Sequence, residues 1–235
     1  MADFNTLTAR ETKVEVLNAF MRGVYQWMAL GLGLTAAAAF LTAQSPAMQQ
    51  IIFGNQLVFF GLIIGELLLV VGISAGIRRM SASTASGLFL LYSALNGLTL
   101  SFVLLLYTGE SVAMTFVICA GMFGAMSVYG MTTKKDLTSW GSFLFMGLIG
   151  IILASVVNIF LQSSAMQFVI SILGVVIFTG LTAYDTQKLK VMGETAPAND
   201  ATAIRRGVIL GALTLYLDFI NLFLMLLRLF GSRRS

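Results

Sequence analysis

The sequence predicts an all-α integral membrane protein, a bundle of seven transmembrane helices. Of its 235 residues, 58% are hydrophobic and only 10% are charged, whereas an ordinary soluble domain is about 25% charged. Long segments contain no charged residue, and a helix needs only about 20 mainly apolar residues to cross a bilayer. A water-exposed surface cannot be built from so little charge, so we expect no soluble domain.

The charge-free segments define the spans. The longest ones are 23–65, 80–109, 111–133 and 137–184. Polar residues interrupt the first and the last of them, so each holds two crossings. When the stretches around Glu66 and Asp218 are included, the predicted spans are 23–43, 56–77, 84–106, 111–131, 142–161, 166–187 and 205–230.

These spans divide the chain into a cytoplasmic N-terminal segment, 1–22, a seven-helix transmembrane domain, 23–231, and a C-terminal tail, 232–235. Charged residues recur through the N-terminal segment, so we predict no removable signal peptide there. Glycines recur at short spacing within the spans and are interpreted as helix-packing positions; they include Gly72 and Gly76, Gly121 and Gly124, and Gly207 and Gly211.

Basic residues indicate the orientation. Lys and Arg occur before the first span and after the second, fourth and sixth, while the other connections contain none before the C-terminus. By the positive-inside rule the N-terminus is cytoplasmic, with cytoplasmic loops at 78–83, 132–141 and 188–206. Seven spans put the C-terminus outside, although it carries Arg233 and Arg234. The alternative is a last segment that re-enters and returns; we favour full spanning because 205–230 is long enough to cross.

Three acids lie within predicted spans: Glu66, Asp185 and Asp218. An ionised side chain at mid-span costs about 2.5–3.5 kcal/mol on insertion scales, which makes intramembrane acids functional candidates. Asp218 is near mid-membrane, and Asn221 follows on the same helix face. Asp185 lies near the end of the sixth span; it is either a functional acid or an interfacial one satisfied by water.

Glu66 has the alternative role of a neutral acid in a packing contact, and its partner is not evident from the sequence. For Asp185, the expected hydrogen-bonding partners are Thr182 and Gln187. The single cysteine, Cys119, is interpreted as a buried structural thiol. Because the chain has no histidine, any proton sensing must use carboxylates. Two carboxyls in one low-dielectric site share a proton, so a pair of them can form a pH-sensitive element.

Four stretches carry a resemblance to a known family: GLTAYDTQKLK at 180–190, LGALTLYLDFINLFLMLLRLFG at 210–231, MTTKKDLTSWGSF at 131–143 and the glutamate-bearing second span. The sequence resembles the Bax inhibitor-1 family, and within it the bacterial inner-membrane branch. The resemblance extends from the second span to the seventh. The most specific of these matches is the string LYLDFINLF.

The resemblance implies a central last helix and a pH-sensitive calcium leak in the cell inner (plasma) membrane. The family's paired aspartates fall on Asp185 and Asp218, which would sense pH and contact the metal ion. Its latch arginine falls on Arg78 or Arg79, and the direction of gating is left open. We expect Glu66 and Asn221 to line the ion pathway. No cofactor is implied other than calcium as a permeant or bound ion, and no nucleic acid is expected.

Two other functions compete with an ion pathway. In the first, this protein has a regulatory role, and the resemblance implies that it is a modulator or substrate of a membrane-anchored AAA+ protease. Residues 1–22 would then be the tail that the protease threads. An intramembrane aspartyl protease is disfavoured, although Tyr184-Asp185 matches half of its signature. Asp218 follows Leu217 rather than glycine, and the only prolines are Pro46 and Pro197. We therefore predict that the protein is not an enzyme.

Overall fold

The computed structural model describes residues 2–197 and 200–234, with side chains from residue 13 onward within those ranges. Seven of its helices are long and apolar enough to cross a membrane. The described helices are α1 (Ala2–Ala43), α2 (Pro46–Phe53), α3 (Gln56–Gly76), α4 (Ala82–Leu106), α5 (Gly109–Thr132), α6 (Thr138–Leu161), α7 (Ser164–Glu194) and α8 (Ala201–Phe230). The all-α fold with seven long apolar helices is therefore confirmed.

Polar residues that interrupt the hydrophobic runs cap the helices. Ser45 precedes α2 and accepts a hydrogen bond from the backbone N–H of Met48. Asn55 accepts one from Leu57 at the start of α3, and Thr108 accepts one from Ser111 at the start of α5. Each side chain satisfies a backbone donor that the helix leaves unpaired in its first turn.

Two helices extend well beyond the predicted membrane spans. Residues 2–22 are helical and continuous with the first span in α1. Of the loop expected at 188–206, the first part belongs to α7, which continues to Glu194, and the last part belongs to α8, which begins at Ala201. Charged residues end a membrane crossing without ending a helix, because a helix can continue into water. Of the predicted segments, residues 1, 198, 199 and 235 lie outside the described residues.

The chain divides into two compact units. The first contains the residues up to Leu105 together with Leu189–Tyr216, which include α1 to α4 and the first part of α8. The second contains Leu106–Lys188 and the residues from Leu217 onward, which include α5, α6, most of α7 and the end of α8. Glu66 therefore belongs to the first unit, whereas Asp185 and Asp218 belong to the second.

The last helix is the most buried of the spans. In its membrane-spanning window 61% of the residues are buried, against 6% in α3 and at most 39% in the others. A helix that is apolar all round and also buried is surrounded by protein, whereas an apolar helix with little burial faces lipid. Most of the spanning window of α8 is therefore covered by protein, while the central position of the last helix stays a prediction.

The C-terminal tail pairs with the connection between α4 and α5 in the second unit. The N–H of Thr108 donates to the carbonyl of Ser232 at 3.0 Å, and that of Arg234 donates to the carbonyl of Leu106 at 2.9 Å. The connection at the other end of α5 is bonded instead to α7, where the Gln187 amide donates to the Lys135 carbonyl at 2.8 Å. The tail thus lies at the opposite end of α5 from Lys135, which favours full spanning over re-entry.

The glycines do not share one role. Space around Gly72, Gly121 and Gly124 is open, with no neighbouring heavy atom within 4 Å of a built Cβ. The packing interpretation was wrong for these three, because they lie on helix faces turned away from other helices. At Gly130, by contrast, a Cβ would lie 2.3 Å from the Ala183 carbonyl oxygen, so α5 and α7 approach there at a distance that only glycine permits.

Candidate functional site

Asp218 lies in the interior of the second unit, on α8. Only 5% of its surface is exposed, and its Oδ2 atom has no hydrogen-bond partner among the described residues. Buried polar atoms in proteins are nearly always hydrogen-bonded, so an orphan carboxyl oxygen calls for an explanation. Such an atom is free to hold a proton or to contact a cation.

Asp185, on α7 of the same unit, is the acidic neighbour of Asp218. The two carboxyl groups are close enough to interact electrostatically. Asp185 is half-buried, and the ammonium group of Lys188, one turn further along α7, also acts on it. The two aspartates singled out in the sequence therefore lie near each other, with one basic side chain on the side of Asp185.

Apolar and weakly polar contacts hold Phe219, the residue that follows Asp218 in α8. The Cys119 thiol on α5 is fully buried and lies 3.6 Å from the Phe219 carbonyl oxygen, as expected for a structural thiol. The rings of Phe116 and Phe123 lie edge-on to that of Phe219, with centroids 5.4 and 5.5 Å away. These contacts pack α5 against α8 at the residue next to Asp218.

The expected hydrogen-bonding partners of Asp185 are engaged elsewhere. Thr182 donates to the Phe178 carbonyl of its own helix at 2.8 Å, and Gln187 bonds to the connection before α6. Threonine bonds readily to the carbonyl four residues earlier in a helix, which removes it as a partner. Asn221 behaves similarly, because its amide donates to the Leu217 carbonyl at 2.8 Å. Its place in an ion pathway stays a prediction.

The described residues contain no group of three or more His, Cys, Asp or Glu side chains that could hold a metal ion. Calcium in resident protein sites takes six to eight oxygen ligands, usually including several carboxylates. Asp185 and Asp218 together supply fewer.

Glu66 has partners that the sequence left unidentified. In the first unit, its Oε1 atom accepts a hydrogen bond from Thr99 at 2.8 Å and its Oε2 atom accepts one from the amide of Asn96 at 3.1 Å. Both donors lie on α4, one helical turn apart. Glu66 as a residue is 9% exposed, and each of its two carboxyl oxygens has a hydrogen-bond donor.

The network continues through Tyr216 of α8. Its hydroxyl donates to Oδ1 of Asn96 at 3.0 Å and lies 2.6 Å from the hydroxyl of Thr35 on α1. Because the Tyr216 proton goes to Asn96, Thr35 is the donor in this contact, and the carbonyl of Ser93 lies 2.8 Å from the same Thr35 oxygen. Side chains of α1, α3, α4 and α8 are therefore joined by one buried chain of hydrogen bonds, in which the polar groups satisfy one another.

The two candidate latch arginines follow the end of α3. Arg78 and Arg79 are exposed, and a guanidinium nitrogen of Arg206 donates to the Arg78 carbonyl at 3.1 Å. This contact satisfies one of the carbonyls left open at the helix C-terminus. Both arginines belong to the first unit and both aspartates to the second, so the latch stays a prediction.

Comparison with known proteins identifies the family. The family model described as inhibitor of apoptosis-promoting Bax1 matches residues 17–235. This chain belongs to the Bax inhibitor-1 family. The match extends over nearly the whole chain, including all three intramembrane acids and both candidate latch arginines.

Proteins of several bacteria are similar to this chain over most of their length. The inner membrane protein YbhL of Escherichia coli K12 is 56% identical over 218 residues, which cover 93% of each chain. An uncharacterized protein of Borreliella burgdorferi is 48% identical over 97% of this chain and 98% of its own. An uncharacterized membrane protein of Streptococcus pyogenes is 38% identical over 92% and 93%. The membrane location expected from composition agrees with the names of the Escherichia coli and Streptococcus pyogenes proteins.

Sequence reasoning missed Asn96, Thr99, Tyr216 and Thr35. A usable signal was present for the first two, because an amide and a hydroxyl three residues apart share one face of a span. Polar side chains inside a membrane seek partners on neighbouring helices, and Glu66 was an acid without one. No comparable signal marks Thr35 or Tyr216, since a lone hydroxyl is common in membrane helices.

Proposed function

We propose that this protein is a pH-sensitive leak pathway for cations, calcium among them, controlled by Asp185 and Asp218 and located in the bacterial inner membrane with its N-terminus in the cytoplasm. The observation that carries the proposal is the buried Oδ2 atom of Asp218, which lacks a hydrogen-bond partner among the described residues. A neighbouring carboxyl group interacts with it electrostatically. A purely structural acid in lipid would be expected to have its oxygens satisfied.

Control by protons follows from the proximity of the two acids. One proton between them limits the pair to a single negative charge, while its removal leaves two charges that repel one another and separate α7 from α8. Lys188 compensates part of that charge at Asp185. If an arginine at 78 or 79 bound the ionised Asp185, the closed state would return at high pH, so the direction of the response is a question for measurement.

The contrast with Glu66 supports the choice of this pair. Glu66 is also an intramembrane acid, but both of its oxygens accept hydrogen bonds from α4. These two hydrogen bonds occupy about half of the acceptor sites of the carboxyl group, whereas Oδ2 of Asp218 accepts none from the described residues. We therefore assign the proton-sensing role to the second unit and regard Glu66 as a helix-joining residue of the first.

The experiment is calcium flux into liposomes that contain the purified protein, measured across pH. Asp218→Asn and Asp185→Asn should each shift or flatten the pH profile, because an isolated acid titrates differently from one of a pair. Glu110→Gln is the control, since Glu110 is exposed in the first turn of α5. If both aspartate variants follow the unmodified pH curve, the pair is not the sensor; if the unmodified protein gives no flux, the leak itself is excluded.

A further inference from the structure

A cleft of about 290 Å³ opens on the surface of the second unit, where the end of α5, the start of α6 and the middle of α7 meet. Its walls are mainly apolar and include Met126, Leu144, Gly180 and Ala183. The volume is near the lower bound of about 300 Å³ for pockets that hold small ligands. The cleft can therefore take part of a chain molecule but not a large rigid one.

Two opposite charges stand side by side at the rim of the cleft. Lys135 and Asp136 both line it and both are exposed, in the connection between α5 and α6. Oδ1 of Asp136 accepts a hydrogen bond from the backbone N–H of Thr138 at 2.9 Å. Hydrogen bonds from the Thr138 hydroxyl and N–H hold the pKa of Asp136 below its ordinary value, so the carboxylate is negative at neutral pH.

Aromatic side chains form the rest of the opening. Tyr129, Trp140 and Tyr184 line the cleft, and Trp140 is 63% exposed. Trp and Tyr prefer the level of lipid headgroups, because their rings are apolar and their N–H or O–H groups are polar. The position of Trp140 just after the connection between two spans agrees with that level.

We propose that this cleft binds a membrane phospholipid with a zwitterionic, ammonium-bearing headgroup, its phosphate on Lys135, its ammonium group near Asp136 and part of one acyl chain along the apolar wall. The charges of the rim match the two charges of such a headgroup, and the apolar wall matches its chain. An anionic lipid would use Lys135 but has no cationic group to pair with the Asp136 carboxylate.

The site would adjoin the acid pair without depending on the proposed leak. Ala183 and Tyr184 line the cleft and directly precede Asp185 in α7. A bound lipid would therefore contact the helix segment that carries this acid. Binding can be measured in the absence of ion flux, so failure of one proposal does not decide the other.

Tryptophan fluorescence offers a direct test, because the chain contains only two tryptophans. Trp27→Phe leaves Trp140 as the single reporter. The detergent-solubilised protein is titrated with phosphatidylethanolamine that carries brominated acyl chains, which quench a nearby indole. We expect saturable quenching that unbrominated phosphatidylethanolamine reverses. Quenching that does not saturate, or is not reversed, shows partition into the micelle and overturns the proposal.

Matched variants test the headgroup contacts. Lys135→Gln and Asp136→Asn should each weaken the apparent affinity about two- to fivefold, as expected for one exposed ion pair. Lys134→Gln is the control, since Lys134 has the same charge and lies outside the cleft lining. Equal affinities in the Lys134 and Lys135 variants would overturn the phosphate contact. Tighter binding of brominated phosphatidylglycerol, or no effect of Asp136→Asn, would overturn the zwitterionic assignment.

Discussion

The hydroxyl of Tyr216 donates a hydrogen bond of 3.0 Å to Oδ1 of Asn96, whose amide nitrogen donates in turn to Glu66. Tyr216 thus orients the amide that satisfies the acid. Tyr216 is fully buried and Asn96 nearly so. A lost hydroxyl at this position would leave a buried amide oxygen without a donor.

Tyr216→Phe should therefore lower the free energy of unfolding by about 1–3 kcal/mol, the typical cost of a buried polar group left unsatisfied. Thermal unfolding in detergent measures the change. Tyr25→Phe is the matched control, because the Tyr25 hydroxyl is buried without a hydrogen-bond partner in the described part of the chain. Equal shifts of the unfolding midpoint in the two variants would contradict the role assigned to Tyr216.

Replacement of Glu66 or Asp218, the two most buried acids, by an uncharged residue should affect the stability of the protein differently. Glu66→Leu removes the acceptor for Asn96 and Thr99 and should cost about 1–3 kcal/mol of stability. Asp218→Asn should leave stability unchanged or raise it, since one oxygen of Asp218 has no partner to lose. Comparison of unfolding midpoints at one pH decides this. A loss at Asp218 as large as the loss at Glu66 would show that Asp218 is structural.

The ends of the chain can be located by cysteine labelling. In a Cys119→Ala background, Ser232→Cys and Glu110→Cys should react with a membrane-impermeant maleimide from the same side, because the tail pairs with the connection before α5. Lys134→Cys, beyond the other end of α5, should react from the opposite side. Labelling of positions 232 and 134 from one side would restore the re-entrant arrangement.

Replacement by alanine should have different effects on stability at two glycines of α5. Gly130→Ala places a methyl group 2.3 Å from the Ala183 carbonyl oxygen and should destabilise the protein by about 1–3 kcal/mol through overpacking. Gly124→Ala meets no atom within 4 Å and should stabilise the helix by up to about 1 kcal/mol, since glycine is a poor helix former. Thermal unfolding of both variants is the measurement. Destabilisation by Gly124→Ala would indicate a contact with a further molecule.

Much of the fold could be predicted because the bilayer imposes it. Uncharged segments of fixed length have few alternatives to spanning helices, and the predicted span 56–77 differs from α3 by one residue at its end. The ends of helices that extend into water are not determined by hydropathy. The extension of α7 to Glu194 was missed because hydropathy reports where a membrane crossing ends, whereas the helix itself continues with polar residues.

The site could be predicted only in part. Asp185 and Asp218 were identified because an acid in a span is rare, and their proximity was expected from the resemblance to the Bax inhibitor-1 family. The partners of Glu66 were not predicted, because a hydroxyl or amide in a membrane helix has many possible neighbours and spacing alone does not select one. The AAA+ protease partner, the latch arginine and the aspartates as calcium contacts remain predictions, since each depends on the family resemblance rather than on a described contact.

The sparse burial of α3 gives Glu66 a further consequence. Only 6% of the spanning window of α3 is buried, and apolar surface provides little drive for helices to associate inside lipid. Successive residues of a helix are about 100° apart around its axis, so a slip of one residue would turn the carboxyl group from Asn96 and Thr99 toward the acyl chains. Glu66 therefore determines the rotation of α3 about its own axis. This one polar group is costly to expose to lipid, so it fixes which face of an almost uniformly apolar helix meets its neighbours.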